Sequence, residues 1–323
     1  MNSLLLIVII VIALFFVFIN GFHDTANVVA TPIATRSLSP YQAITVAAIF
    51  NFIGAFFGTG VAVTISKGLI DAHLVTHTVL LATLLAAIIW NLLTWAFGIP
   101  SSSSHALIGA LAGAGIATGG LHAVNYTTLV DKVIVPMVLS PILAFIFALV
   151  IVVIVMHTLQ GNKTPRKTNN FIRELQVLST SLLSFSHGSN DAQKNMSIIV
   201  MALFSFGMVP NVTDIPLWVT CLCGVAMAGG TMAGGMKIIK TVGMDMVKLE
   251  TFQGFSADLA AALCLLVSSV FGLPVSTTHT KTTAIMGVGA AKRFSSVNWS
   301  TVGEMILAWV LTFPGCGLVG FIM

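Results

Sequence analysis

Charge is nearly missing from this sequence. Its 323 residues include 14 Lys and Arg and 10 Asp and Glu, so 7% of the side chains are charged, where soluble domains carry about 25%. With 57% of residues hydrophobic and a mean hydropathy of +1.01, a soluble fold could not hide the apolar surface, and the chain reads as an integral membrane protein. Short alternating strands are missing too. The apolar runs are long, which excludes a barrel and predicts an all-α polytopic protein with room for roughly ten membrane elements. The net charge of +4 is scattered over loops and offers no nucleic-acid surface. Cys221, Cys223, Cys264 and Cys316 lie in apolar runs without the remainder of a metal-ligand pattern, and read as buried thiols. Leu4 to Ile19 lacks the basic flank and cleavage site of a signal peptide and reads as the first membrane helix.

Against this background two polar interruptions stand out. Gly98-Ile99-Pro100-Ser101-Ser102-Ser103-Ser104-His105 separates two apolar segments, and Gly272-Leu273-Pro274-Val275-Ser276-Thr277-Thr278-His279 repeats it. Pro100 answers Pro274, the hydroxyls of Ser102, Ser103 and Ser104 answer Ser276, Thr277 and Thr278, and His105 answers His279. Gly113 and Gly115 recur as Gly287 and Gly289 at the same offsets. A second pair precedes these. Asn20-Gly21-Phe22-His23-Asp24-Thr25-Ala26-Asn27 follows the first apolar run, and Gly188-Ser189-Asn190-Asp191 answers Gly21-Phe22-His23-Asp24. Asp24 precedes His105 by 81 positions and Asp191 precedes His279 by 88. Paired motifs at similar separation indicate an internal duplication. The halves are residues 1–158 and 174–323. They are joined at 159–173 by a polar stretch with Lys163, Arg166, Lys167 and Arg173, which the positive-inside rule puts in the cytoplasm.

Between the motifs the apolar segments are Gln42 to Ile65, Val79 to Phe97, Ile134 to Met156 (bent by Pro136 and Pro141), Trp218 to Met236, Phe252 to Phe271 and Val302 to Met323. Gly119 to Lys132 reads as a loop. Lys237, Lys240 and Lys248 mark a cytoplasmic loop, whereas Lys292-Arg293 fits neither side cleanly. His73 and His77 have metal-binding spacing but no third ligand, so they read as loop histidines.

The chemistry follows from the residue types. Proline breaks a helix and leaves backbone N–H groups unpaired, and those groups with the helix dipole attract anions. Hydroxyls can donate to an oxyanion and accept from the backbone. Two broken, hydroxyl-rich segments in corresponding places point to a transporter binding site at membrane depth, formed by broken or re-entrant helices. Neither motif holds an Arg, so dipoles and hydroxyls would hold the anion. The bland alternative is that the Ser and Thr residues only satisfy the backbone around a kink; two matched copies argue against it. An Asp inside a membrane segment costs about 2.5–3.5 kcal/mol. Carboxylate and amide oxygens suit a small hard cation, and a proton on the carboxylate would serve equally. The alternative for Asp24 is that the first helix ends at Asn20 and leaves the carboxylate in water. Lys194 is read as a structural partner of Asp191, and His187 as a hydrogen-bonded partner rather than a co-ligand of a metal. Lys281 could attract the anion but is expected to snorkel to the surface. His105 and His279 are expected to hydrogen-bond backbone at the kinks. The reading is cation-coupled anion transport, with a passive anion channel as the alternative. An intramembrane serine hydrolase is rejected, because Ser104 and His105 are neighbours that cannot face each other and no Gly-x-Ser-x-Gly elbow is present.

These four motifs, with Ala87-Ile88-Ile89-Trp90-Asn91 and Ile306-Leu307-Ala308-Trp309, resemble the inorganic phosphate transporter (PiT) family, nearest its bacterial low-affinity permeases. The resemblance runs from about Ile19 almost to the C-terminus. It implies a multi-pass protein of the inner cell membrane, in contact with the lipid bilayer, built from two inverted repeats and forming a homodimer. Its activity would be symport of inorganic phosphate on a proton or sodium gradient, with or without an accompanying divalent metal and without a resident cofactor. It implies a phosphate site of Ser102, Ser103, Ser104, Ser276, Thr277 and Thr278, and a coupling-cation site of Asp24, Asn27, Asn190 and Asp191. Some relatives carry sulfate, which the motifs do not separate from phosphate. Two departures stand out. His23 faces Asn190 across the duplication, and Asp258 occupies a position that is often Glu or Gln.

Overall fold

A computed structural model of the chain describes residues 2–71, 74–159, 165–234 and 236–323. Every regular element among them is helical. In the first half these are α1 (Asn2–Ala34), α2 (Pro40–Gly54), α3 (Gly60–Gly68), α4 (His77–Ala96), α5 (Ser103–Gly119), the single turn α6 (Tyr126–Thr128) and α7 (Val135–Leu159). The second half has α8 (Pro165–Ser205), α9 (Leu217–Ala233), the short α10 (Met236–Lys240), α11 (Thr251–Val270), α12 (Thr277–Lys292) and α13 (Trp299–Ile322). The order is therefore run through twice: a long helix, a short pair, a helix leading to the proline motif, a helix starting at that motif, and a long final helix.

Among the described residues five helices are long and apolar enough to cross a membrane, and a sixth span results if α9 and the segment Ile238–Asp245, bent by 75°, are counted together. The roughly ten elements expected from composition include broken ones: α5 and α12, with 17 and 16 residues, are shorter than a full span. Gln42 to Ile65, expected as one segment, is two helices. Gly58 turns the chain between them with φ +83°, a value that suits glycine. The expected loop from Gly119 to Lys132 is mostly helical turns, and Leu129–Ile134 is wound as a π-helix that runs into α7.

The first helix does not stop at Asn20. α1 continues for 33 residues, about 50 Å at helical rise, and carries the Asp24 cluster in its interior. Asp24 is 1% exposed, so the alternative that it sits in water is overturned. The second cluster lies likewise inside the 41-residue α8 rather than at the start of an apolar run. Pro165 opens α8, so Lys167 and Arg173 of the expected linker stand on its first turns. Residues 160–164, including Lys163, lie outside the described residues, as do His73 and the side chains of Arg166 and Lys237.

α1 and α8 form the centre, each clasped by a helix of the other half: α9 packs on α1 and α2 packs on α8. The crossings need small residues. A Cβ added at Gly230 would collide with the Phe18 carbonyl of α1, and one at Gly54 with the Phe185 carbonyl of α8. The outer pairs are also exchanged, with α13 on α5 and α12 on α7. Matching small contacts recur. Thr64 Oγ1 donates to Gly272 O at 2.7 Å and Thr241 Oγ1 to Gly98 O at 3.1 Å. The bridge Ile70–Val124 is answered by Val247–Val297.

Candidate anion and cation site

Both proline motifs are built the same way. α4 and α11 end in glycines at positive φ, 68° at Gly98 and 66° at Gly272. The chain then runs extended through the prolines, and Ser102 and Ser276 cap the next helices. Ser102 Oγ accepts the His105 N–H at 3.2 Å, and Ser276 Oγ accepts the His279 N–H at 3.2 Å. α5 and α12 thus begin at Ser103 and Thr277, deep inside the protein. The N–H groups of Ser103, Ser104, Thr277 and Thr278 stand in first turns without intrahelical acceptors. The two helix starts meet: Thr278 Oγ1 lies 3.0 Å from the Ser101 carbonyl.

The Asp clusters of α1 and α8 face these starts. Ser103 Oγ donates to Asp24 Oδ2, and also lies 3.0 Å from Asn20 Oδ1. Thr278 Oγ1, from the other half, is 3.2 Å from Asp24 Oδ1 and accepts from Asn27 Nδ2 at 2.8 Å. Thr277 Oγ1 is 3.3 Å from Asp191 Oδ2. The Lys194 ammonium reaches Asp191 Oδ1, Ser104 Oγ and the Val275 carbonyl, each at 2.6 Å. Nine of the ten expected site residues, Ser102, Ser103, Ser104, Ser276, Thr277, Thr278, Asp24, Asn27 and Asp191, therefore converge on one buried cluster. Asn190 is buried beside it. Its Nδ2 donates to Ser269 Oγ at 3.1 Å and to Leu273 O at 3.2 Å, bracing the chain before Pro274, while its Oδ1 has no partner.

His187 and Asp191 stand 3.2 Å apart, Nε2 to Oδ2. His187 Nδ1 lies 2.9 Å from Asn51 Oδ1, and the Asn51 amide is oriented by its donation to Thr231 Oγ1. An amide oxygen only accepts, so His187 Nδ1 donates to Asn51, and Nε2 faces the Asp191 carboxylate. One ligand atom each from Asp24, His187 and Asp191 lies within 4.8 Å of the others. The expected His187–Asp191 pairing is present in this contact. His23 Nδ1 lies 3.1 Å from Asp24 Oδ1, and its Nε2 3.3 Å from Thr94 Oγ1.

Two further expectations are corrected. Lys281 does not snorkel. It is 1% exposed and pairs with Asp258, which also accepts from Thr31 of α1 and from Thr180 of α8 at 2.7 Å. The His105 and His279 rings do not bond the kinked backbone. Neither ring nitrogen of His105 nor Nε2 of His279 has a partner. The rings instead pack on each other with centroids 4.7 Å apart, and His279 stacks on Trp309 at 4.1 Å. It is the Trp309 indole that serves the kink, donating to Pro100 O at 3.0 Å. Asn20 and the carbonyls of Ser101 and Val275 also join the cluster; the carbonyls show in the sequence only by their place directly after each proline.

Comparison with known proteins agrees with this architecture. The model of the phosphate transporter family matches residues 20–166 and 157–320. A probable low-affinity inorganic phosphate transporter of Bacillus subtilis (strain 168) is 47% identical over 99% of this chain and 96% of its own length. One of Rhizobium meliloti (strain 1021) is 47% identical over 98% of this chain and 94% of its own. A solved structure, the sodium-dependent phosphate transporter, superposes with a TM-score of 0.88 at 25% identity, covering 98% of this chain and 97% of that one. The chain is a multi-pass membrane transporter rather than an enzyme, and it belongs to the phosphate transporter family.

Proposed function

We propose that this chain is a secondary active symporter of inorganic phosphate, driven by a sodium or proton gradient and built from two inverted repeats around the cluster described above. One observation carries the reading. The hydroxyls suited to phosphate are held by the carboxylates suited to the cation: Ser103 and Thr278 by Asp24, Thr277 by Asp191. A cation or proton on these carboxylates weakens those bonds and frees the hydroxyls to donate to an oxyanion. The first-turn N–H groups of α5 and α12 then add their dipoles. Neither substrate is favoured alone, which is the requirement for coupling. Ser102 and Ser276 accept the capping N–H groups and still have their hydroxyl protons to donate. Asn27 and Asn190 supply amide oxygens without other partners for the cation. The repeats are supported by the matched element order and exchanged packing, and a homodimer follows from the family resemblance.

A second reading rests on the grouping of Asp24, His187 and Asp191, one ligand atom from each lying within 4.8 Å of the others: two carboxylates and an imidazole suit a divalent cation travelling with phosphate as substrate. The test is uptake of radiolabelled phosphate into proteoliposomes under an imposed sodium or proton gradient, with excess sulfate and with or without magnesium. Gradient-driven uptake insensitive to sulfate is the expected result. Uptake indifferent to both gradients would mean a passive channel, uptake abolished by sulfate a sulfate permease, and uptake dependent on magnesium the metal-phosphate reading.

A further inference from the structure

The two halves of the site differ in side-chain type at His23 against Asn190 and, with a change of charge, at Asn27 against Lys194. Lys194 follows Asp191 by three residues, as Asn27 follows Asp24. The ammonium sits in a cage of three oxygens: a carboxylate of its own half (Asp191 Oδ1), a hydroxyl of the other half (Ser104 Oγ) and the carbonyl directly after its own half's proline (Val275 O). The first half contains the corresponding oxygens: Asp24 Oδ1, Thr278 Oγ1 and Ser101 O. Thr278 Oγ1 lies 3.2 Å from the first and 3.0 Å from the last. There the helix presents Asn27, whose Nδ2 donates to Thr278 Oγ1 at 2.8 Å and to Asp24 Oδ1 at 3.4 Å and so stands where the ammonium stands in the other half; its Oδ1 is buried without a partner, and turning the amide over brings that oxygen to the cage.

A carboxylate, a hydroxyl, a backbone carbonyl and an amide oxygen are ligands for a small monovalent cation. In the second half the same kind of cage already holds a positive charge on a covalent tether. We propose that Lys194 Nζ replaces a diffusible cation in the second half of the site, so that transport couples to a single cation held on the Asp24 side. This rests on the symport reading above. Lys194 is a poor candidate for mere neutralisation of Asp191. Such a role needs one contact, whereas the ammonium spans both helix starts, from Ser104 on α5 to Val275 before α12. It therefore also fixes the spacing of the two hydroxyl-rich ends without occupancy by an ion, at no cost in cation concentration. The conservative counterpart in the first half shows what removal would restore: with Asn in place of Lys194, the second cage becomes a ligand set lacking its charge.

The experiment measures phosphate accumulation at static head in proteoliposomes with the membrane potential clamped at zero, counting one protonation state of phosphate. With one coupling cation, a tenfold sodium or proton gradient accumulates phosphate about tenfold; with two, about a hundredfold. The unaltered protein is expected to give the tenfold result. Lys194→Asn is expected to approach the hundredfold result, with cation activation turning from hyperbolic to sigmoidal. A hundredfold result from the unaltered protein would overturn the tethered-cation inference and leave symport standing. So would a transporting Lys194→Asn variant that keeps the tenfold result. If that variant fails to insert, the unaltered protein's ratio decides alone. Accumulation insensitive to either gradient would refute symport itself, a separate signature.

Discussion

The Lys281–Asp258 pair joins four helices one turn beyond Thr278 on α12 and Asn27 on α1, and its removal has a magnitude that can be worked out. Lys281 is 1% exposed and Asp258 fully buried. The ammonium contacts Asp258 Oδ1 and lies 3.1 Å from Thr31 Oγ1, while Asp258 Oδ2 accepts from Thr180 at 2.7 Å. Asp258→Asn removes the counter-charge and leaves the ammonium with weak neutral partners. Breaking one partner of a buried pair costs about 3–5 kcal/mol. For a chain of this size each kcal/mol shifts the melting temperature by about 2 °C, so the variant is expected to melt about 6–10 °C lower in detergent. Lys281→Met should do the same in the opposite sense, stranding the carboxylate between Thr31 and Thr180. The double variant removes both charges and their desolvation, and should recover to within about 3 °C of the unaltered protein, as replaced buried pairs do. The assay is thermal unfolding of the four proteins, read as a double-mutant cycle. Both single variants melting within about 2 °C of the unaltered protein would refute burial of the pair and restore a snorkelling Lys281.

Three further outcomes follow from the same geometry. Asp24→Asn should abolish phosphate uptake while leaving surface expression and insertion intact, since the amide keeps the shape but loses the charge; normal uptake would remove Asp24 from the coupling site. Ser103→Ala should raise the half-saturating phosphate concentration by about tenfold, the equivalent of one charge-assisted hydrogen bond, whereas Ser102→Ala, which loses a helix cap as well as a phosphate donor, should in addition lower the melting temperature by about 2 °C; an unchanged melting temperature in Ser102→Ala would count against the cap. Gly230→Ala drives a methyl into the Phe18 carbonyl and should lower the melting temperature by several degrees through overpacking that costs about 1–3 kcal/mol, while Gly303→Ala, with open space around it, should be silent.

The site was legible in the sequence wherever chemistry was repeated. Proline, hydroxyls and His in two registers marked both kinks, and the Asp clusters announced themselves by their cost in an apolar run. What could not be read was any pairing between helices. Nothing near Lys281 reveals Asp258, 23 residues earlier on a neighbouring helix, so surface exposure was the reasonable expectation. The His105 and His279 rings look polar in a list of residues, yet they pack face to edge beneath Trp309. α1 looked finished at Asn20 because polar residues usually end an apolar helix. It continues because the partners of Asn20, Asp24 and Asn27 come from α5 and α12, which the local pattern cannot see. The break after α2 was hidden for the opposite reason: the residues around it are apolar, and only the turn at Gly58 separates one helix from two.

The exchanged packing of the halves has a consequence for how the protein is made. When the ribosome has delivered α1 to α7, the faces of α1, α2, α5 and α7 that will meet α9, α8, α13 and α12 have nothing to rest on. The carboxylate of Asp24 still lacks Thr278, which is 254 residues away along the chain. A nascent first half is thus an open clasp, with polar atoms in lipid and seams of small residues unfilled. Such contacts between distant parts of the sequence form late and slowly. Biogenesis must hold the early helices apart from one another and from wrong partners until the last one, α13, arrives to close against α5.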